Sequence, residues 1–256
     1  MVLMQIFELI NVINEISPLS DAFSDDKVGL LIGKPESEVN NLIFAHDIDK
    51  KILKICNEKN INTVITYHPA VFNNFSDLNY NNSYSLPLEF LKHDINVISV
   101  HTALDVCIGG NSDELAKLFK LQNIKTFGNS NENNSVGRYG EIDLISKEDF
   151  IKMIERNLNT SVIRYNKYFS EIEKIRTVAV VPGSGTQFLS EVPKNIDVFL
   201  TGDISHHHFL YADYKNFGIV QVNHISTEIP GIKKFIETLS SKLKIKIEYF
   251  YESFYG

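Results

Sequence analysis

The sequence predicts an α/β fold of two lobes, each with a largely parallel or mixed sheet flanked by helices. Three observations predict it. Apolar, β-branched runs alternate with segments whose apolar residues recur at helical spacing, which is the order of βαβ units. The runs are nearly uninterrupted in apolar character, as strands covered on both faces are. The alternation breaks off in a stretch without apolar residues, Gly128 to Ser135, and then starts again.

Each element follows in order. Ile6, Leu9, Ile10, Ile13 and Ile16 predict an N-terminal helix that Pro18 ends. Glu8 and Glu15 lie between them and no basic segment precedes them, so this is not a signal peptide. Residues 42–45 predict a short strand, and Ile52, Leu53 and Cys56 a helix after it. Residues 63–66 form the next strand and end at Tyr67-His68. Phe72 to Ser85, rich in Asn, Ser and Tyr, reads as a long loop. Leu88, Phe90 and Leu91 belong to a helix, and residues 96–100 to a strand ending at His101. Leu115, Leu118 and Phe119 belong to a helix beginning near Asn111.

Gly128 to Ser135 reads as a linker or surface turn, with a domain boundary near it. Ser146 to Asp149 has the composition of a capped helix start before Phe150, Ile151, Ile154 and Leu158. Strands at 177–181, 196–200 and 218–222 follow, the last leading into His224. Ile232, Phe235, Ile236, Leu239 and Leu243 lie on one face of a final helix, and 244–251 alternates in part as a closing strand. If the early and late clusters of polar residues meet, the C-terminal helix and strand return to the first lobe. The expected partition is then 1–123 with 218–256 in one lobe and 124–217 in the other.

The 256 residues are 43% apolar and 22% charged, ordinary for a globular protein of one large or two small domains. The net charge of -7 and the scattered Lys and Arg disfavour nucleic acid as a partner. Lys233, Lys234, Lys242, Lys244 and Lys246 are interrupted by apolar residues and read as the wet face of a helix. The two cysteines, Cys56 and Cys107, form no CxxC, which suits a reducing compartment. Cys107 is either a soft metal ligand near Asp105 or a small buried residue. No apolar run approaches the ~20 residues of a membrane span, so a cytoplasmic protein is expected.

Three clusters stand where predicted strands end: Tyr67-His68-Pro69, His101 to Asp105, and His224 to Glu228. Imidazole and carboxylate together suit zinc, iron or manganese. Ligands gathered from several strand ends form a pocket at the edge of a sheet, where open α/β folds bind. Within His101 to Asp105, one group can ligate while the other orients it. Asn111 would cap the helix after Gly109-Gly110. Ser226 or Thr227 is a cap candidate beside His224, and Glu228 could serve as a partner of the helix dipole. Gly183-Ser184-Gly185 could turn backbone N–H groups toward a phosphate, as a ligand-binding turn. His206-His207-His208 would point in three directions from a helix.

Taken in order along nearly the whole chain, these clusters resemble the Nif-three-like family, whose members are labelled GTP cyclohydrolase 1 type 2 homologues. Asp26 to Gly33 is similar to the family's Trp-Asp-Asn-x-Gly-Leu-x-x-Gly, with Asp25 and Lys27 in place of its Trp and Asn. Tyr67-His68-Pro69 corresponds to His-His-Pro, and His101 to Asp105 to His-Thr-x-x-Asp, with Gly109-Gly110-Asn111 following. Gly183-Ser184-Gly185 corresponds to a glycine turn of the second domain, and Thr201-Gly202-Asp203 with His207 to Thr-Gly-Asp-x-x-x-His. Asn223 to Glu228 corresponds to Gly-His-x-x-Ser-Glu.

The resemblance implies a short form without an inserted domain, a two-metal site between the two lobes and a ring-shaped homohexamer. It carries the metal ligands to His68, Asp105, His224 and Glu228, with the Glu228 carboxylate spanning both ions. Tyr67 stands where the family has its first histidine, so one ion is lost, weakened, or supported by the Tyr67 oxygen or by His101. His101 or His207 is the candidate acid/base. The implied cofactor is one or two divalent ions per subunit (zinc, iron or manganese), and the implied ligand a nucleotide or related small molecule. Two functions follow: a metal-dependent hydrolase, or a non-catalytic metal-binding or regulatory scaffold with a degenerate site.

Overall fold

The computed structural model describes residues 4–71, 85–129 and 134–251. These fall into two compact units, one running to Leu104 and resuming at Phe235, the other spanning Asp105–Lys234.

The first unit contains α1 (Ile6–Asn14), β1 (Gly29–Ile32), β2 (Leu42–Ala45), α2 (Lys50–Lys59), β3 (Thr63–Thr66), α3 (Ser85–Lys92), β4 (Asn96–Ser99) and most of α4 (His101–Val106). Its sheet has the order β1-β4-β3-β2, closed at the far edge by β11 (Tyr249–Phe250). β2, β3, β4 and β11 run parallel, and β1 pairs antiparallel to β4. Every residue of β2, β3 and β4 is buried, as their continuous apolar runs require. The helical spacing of Ile6, Leu9 and Ile13 corresponds to the buried face of α1. The Asp49 carboxylate caps α2 by accepting the Ile52 N–H at 2.6 Å, and Asn60 ends that helix in the left-handed region. Of the predicted loop from Phe72 to Ser85, residues 72–84 lie outside the described residues and Ser85 begins α3.

The second unit contains α5 (Asn111–Leu118), β5 (Gln122–Asn129), β6 (Ser135–Ser146), α6 (Lys147–Leu158), β7 (Arg164–Tyr165), α7 (Lys167–Glu171), β8 (Lys174–Val180), β9 (Val198–Thr201), α8 (His206–Lys215), β10 (Gly218–Gln221) and the start of α9 (His224–Leu243). Its sheet is mixed, with order β5-β6-β8-β9-β10-β7, and only β8, β9 and β10 are mutually parallel. The predicted start of α6 is present: the Ser146 hydroxyl accepts the Asp149 N–H at 3.1 Å. A core of Phe119, Phe150, Ile154, Phe169, Val178, Leu200 and Val220 fills one face of this sheet.

The observed units differ from the expected partition. The stretch around 128–135 separates two strands that pair across it, Asn129 with Ser135, so it joins a hairpin within one unit. Residues 130–133 themselves lie outside the described residues. β10 belongs with the second sheet because it pairs in register with β9, Gly218 with Val198 through Gln221 with Thr201. The first unit resumes within α9, at Phe235. Among the described residues, no helix is long and apolar enough to cross a membrane.

α9 contains Pro230 and Gly231. Gly231 faces the start of α5 so closely that a Cβ there would meet Asn111, including its backbone nitrogen at 2.7 Å. In an ordinary helix Gly→Ala gains about 1 kcal/mol. Here the clash is with backbone that cannot swing aside, and overpacking of this kind costs about 1–3 kcal/mol. Gly231→Ala is therefore expected to lower the urea midpoint of unfolding, the reverse of the helix-propensity effect.

Candidate metal centre

In the first unit, the C-terminal ends of parallel β2, β3 and β4 lie side by side, with Ala45, Thr66 and Ser99 in register. The sheet pairing continues past the strand ends. The Tyr67 N–H donates to the Ala45 carbonyl at 3.1 Å, the His68 N–H to His46 at 3.0 Å and the His101 N–H to Tyr67 at 3.0 Å. Strands in a sheet are about 4.8 Å apart, so side chains leaving these ends are neighbours. The His68 ring lies 4.9 Å from His46 and 5.5 Å from His101, centroid to centroid. The buried Tyr67 ring packs among all three, at 5.2, 5.0 and 5.5 Å from His46, His68 and His101.

Each imidazole is anchored through Nδ1. His68 Nδ1 donates to Asp47 at 2.9 Å and His101 Nδ1 to Asp26 at 2.7 Å. His46 Nδ1 shares a hydrogen bond with the Tyr249 hydroxyl at 2.8 Å. A carboxylate on Nδ1 fixes the proton there and turns Nε2 outward as a base, the arrangement by which metal-ligating histidines are held. Burial raises the Asp26 pKa, but its bonds to His101 and Thr102 outweigh this and hold it below the usual carboxylate range. Asp26 also receives the Thr102 N–H at 3.1 Å and the Thr102 hydroxyl. These contacts hold the turn into α4, where His101 adopts φ of 22°, a region disfavoured for any side chain and found at functional positions.

In the second unit, α9 begins at the end of β10 and carries His224 and Glu228 one turn apart. Asn223 accepts the Ser226 N–H at 3.0 Å and so takes the capping role expected of Ser226 or Thr227. His224 Nδ1 donates to Asp203 at 2.7 Å, and Nε2 lies 2.9 Å from Glu228 Oε1. Burial by itself pulls the His224 pKa down. Glu228 and Asp203 overcome this and raise it to about 9. Glu228 is only 2% exposed. A buried carboxylate needs a positive partner, and protonated His224 supplies one at the place a cation could take.

The glycine turn after β8 buttresses this pair. Gly183 has φ of 60°, and a Cβ there would collide with Glu228 Oε1 and approach His224 Nε2 to 3.3 Å. Its N–H donates to the Thr227 hydroxyl at 2.7 Å, and the Gly185 N–H to the Thr201 hydroxyl at 2.9 Å. Two of the N–H groups that the sequence offers to a phosphate are thus committed internally. The Thr227 hydroxyl is the one that the turn uses. His207 is exposed on α8 with its ring against His206, outside the hydrogen bonds around His224. Asp105 is buried and accepts the Asn111 side-chain N–H at 2.9 Å. Gly110 occupies the cap position of α5, so Asn111 orients Asp105 in place of capping. Cys107 is buried, and burial alone pushes the Cys56 thiol up to about 12, which makes it inert.

His46, His68 and Glu228 could hold a metal ion: each offers one ligand atom, and these atoms lie within 4.8 Å of one another. Two imidazoles and a carboxylate suit zinc, iron or manganese. Of the residues expected as ligands, His68 and Glu228 belong to this group. His46 does not figure in the expected set, although it follows the apolar run of β2 just as His68 and His101 follow theirs. Asp26, Asp47 and Asp203, which orient imidazoles, also lie outside the expected set.

The profile of the family described as Duf34/NIF3 (NGG1p interacting factor 3) matches residues 4–253. A "GTP cyclohydrolase 1 type 2 homolog" of Methanocaldococcus jannaschii is 30% identical over 246 residues, covering 94% of this chain and 96% of the relative. One from Clostridium perfringens is 27% identical over 254 residues, covering 96% and 95%, a match that leaves no room for an inserted domain. Among solved structures, reduced HcgD from Methanocaldococcus jannaschii superposes with a TM-score of 0.83 at 30% identity, covering 97% of this chain and 98% of that one. Staphylococcus aureus protein SA1388 gives a TM-score of 0.83 at 28% identity, covering 98% and 96%.

The His224 pairing predicts a pH dependence in metal-free protein. The folded pKa of about 9 lies above the ordinary 6.5, so the stabilisation is fully present below 6.5 and is lost as pH rises through 9. Wild type should therefore exceed Glu228→Gln in urea stability near pH 6, and the gap should narrow steadily toward pH 9.5.

Proposed function

We infer that this chain, which belongs to the Duf34/NIF3 family, is a metal-dependent hydrolase of a nucleotide or a related small molecule. The observation that carries this reading is the common anchoring of the imidazoles: His68, His101 and His224 each give Nδ1 to an aspartate. An imidazole that merely packs in a core has no need of a carboxylate on a ring nitrogen. The residues that would hold the ions are His68, Asp105, His224 and Glu228, joined by His46. A divalent ion held there supplies Lewis acidity and lowers the pKa of water, the requirements for opening a purine ring or cleaving a phosphate ester at neutral pH.

The chain's own groups supply the rest. Asp26 keeps the His101 proton on Nδ1, so Nε2 can accept a proton from an incoming water or return one to a leaving group. Asp203 fixes the His224 ring through Nδ1 while Nε2 meets Glu228, so this imidazole holds its proton between two carboxylates. Gly183 lets Glu228 lie flat against the turn, with no side chain intervening. The label of the curated relatives names a GTP cyclohydrolase homologue, which favours a nucleotide as ligand. A ring-shaped homohexamer acting in a reducing cytoplasm completes the proposal, in keeping with the two buried thiols.

A second reading has its own observation. Tyr67 fills the position of an imidazole with a buried phenol, 1% exposed, and a site so altered could serve binding or regulation without turnover. Metal content per subunit, measured on protein purified without affinity-tag metals, is expected to be one or two equivalents. His68→Ala is expected to lose at least one of them, and with it any nucleotide hydrolysis, by ~10²-fold or more. Turnover by wild type that survives His68→Ala unchanged would rule out the hydrolase reading. Metal binding without turnover of any nucleotide, with hydrolysis gained in Tyr67→His, would favour the scaffold.

A further inference from the structure

We propose that His46, one strand over from Tyr67, serves as a metal ligand and that Tyr249 positions it. The inference rests on the metal reading above and concerns which groups of this chain serve it.

Three observations carry it. The first is register. Beyond paired Ala45 and Thr66, the next residues on β2 and β3 are His46 and Tyr67, and the His68 N–H donates to the His46 carbonyl. Their rings are 5.2 Å apart, close to one strand spacing. An imidazole at 46 in place of 67 is thus displaced by a single step along the sheet and still lies 4.9 Å from His68.

The second is burial. His46 is 1% exposed. Burying an imidazole is costly unless its polar atoms are engaged, and an apolar residue at the end of an apolar run would pack there at no such cost. Packing alone gives no reason for an imidazole at this position.

The third is orientation. His46 Nδ1 is bound to the Tyr249 hydroxyl at 2.8 Å, so the nitrogen directed to a metal is Nε2. This matches the direction set in His68 by Asp47 and in His101 by Asp26. β11 exists only as Tyr249 and Phe250, paired with Phe44 and Ala45. The Tyr249 ring is fixed on both sides, edge-on to Phe44 at 5.5 Å and against Tyr251 at 4.8 Å. Tyr249 is a positioning residue, acting on the ion only through His46.

The test is metal titration of the full-length chain with Co²⁺ alone, read by visible absorption and by stoichiometry, with circular dichroism as the control for folding. His46→Ala should weaken Co²⁺ binding at least ~10-fold or remove one equivalent, and should alter the d–d bands as a nitrogen donor is lost. Tyr249→Phe, which keeps the ring and removes only the hydroxyl, should weaken binding ~10-fold with stoichiometry unchanged. Adding Tyr67→His to His46→Ala should restore most of the affinity. Folded His46→Ala with wild-type affinity and spectrum would overturn the inference while leaving the metal reading intact, as would the absence of any recovery in the double variant. Wild type that takes up no ion would overturn both. Should His46→Ala fail to fold, Tyr249→Phe decides, since unchanged binding in that variant also overturns the proposal.

Discussion

Parallel strands end together, and much else in this molecule depends on that constraint. Hydrogen bonding between β2, β3 and β4 holds their ends about 4.8 Å apart, with Ala45, Thr66 and Ser99 abreast. Whatever follows each strand must therefore share one small space. In this chain it is His46, Tyr67 with His68, and His101. The rings touch because the backbone leaves no alternative, and the cost of crowding imidazoles is met by giving each a fixed partner for Nδ1.

Those partners come from different places in the chain. Asp47 follows β2, Asp26 precedes β1, and Tyr249 lies on β11. On α9 the same device recurs with Asp203. The second unit adds a restriction of space. Gly183 and Gly231 each stand where a methyl group would strike a neighbour, Glu228 in one case and the Asn111 backbone in the other. Electrostatics and sterics thus act on the same side chains: Asn111, pressed against Gly231, also orients Asp105.

Much of this could be read from residues alone. The β-branched runs at 63–66 and 96–99 are buried strands, and the polar residues that follow them, His68 and His101, are at the site. Helix α6 begins at its predicted cap because capping is local. What was not legible depends on distance along the chain. His46 gives the same signal as His68, an imidazole directly or nearly directly after a four-residue buried strand, yet it lies outside the set of ligands that the resemblance implies. Asp26, Asp47 and Asp203 are ordinary acidic residues until the fold shows which ring nitrogen each meets. Asn111 has the composition of a cap, and only the tertiary packing of α5 against α9 turns it toward Asp105. The polar stretch near 130 has the composition of a linker, yet strand pairing on either side of it makes it part of a hairpin. Composition cannot report pairing, and the division of the chain follows the pairing.

The bond between His46 and Tyr249 spans 203 positions of sequence. During synthesis the chain emerges from its N-terminus, so the imidazole at 46 is made long before the hydroxyl that aligns it. The pairing of β2 with β3 needs only residues up to 66, whereas the bond that aligns the His46 ring needs β11. A chain without residues 249 and 250 would keep β1, β4, β3 and β2 paired, yet it would lose the hydroxyl that holds His46 Nδ1.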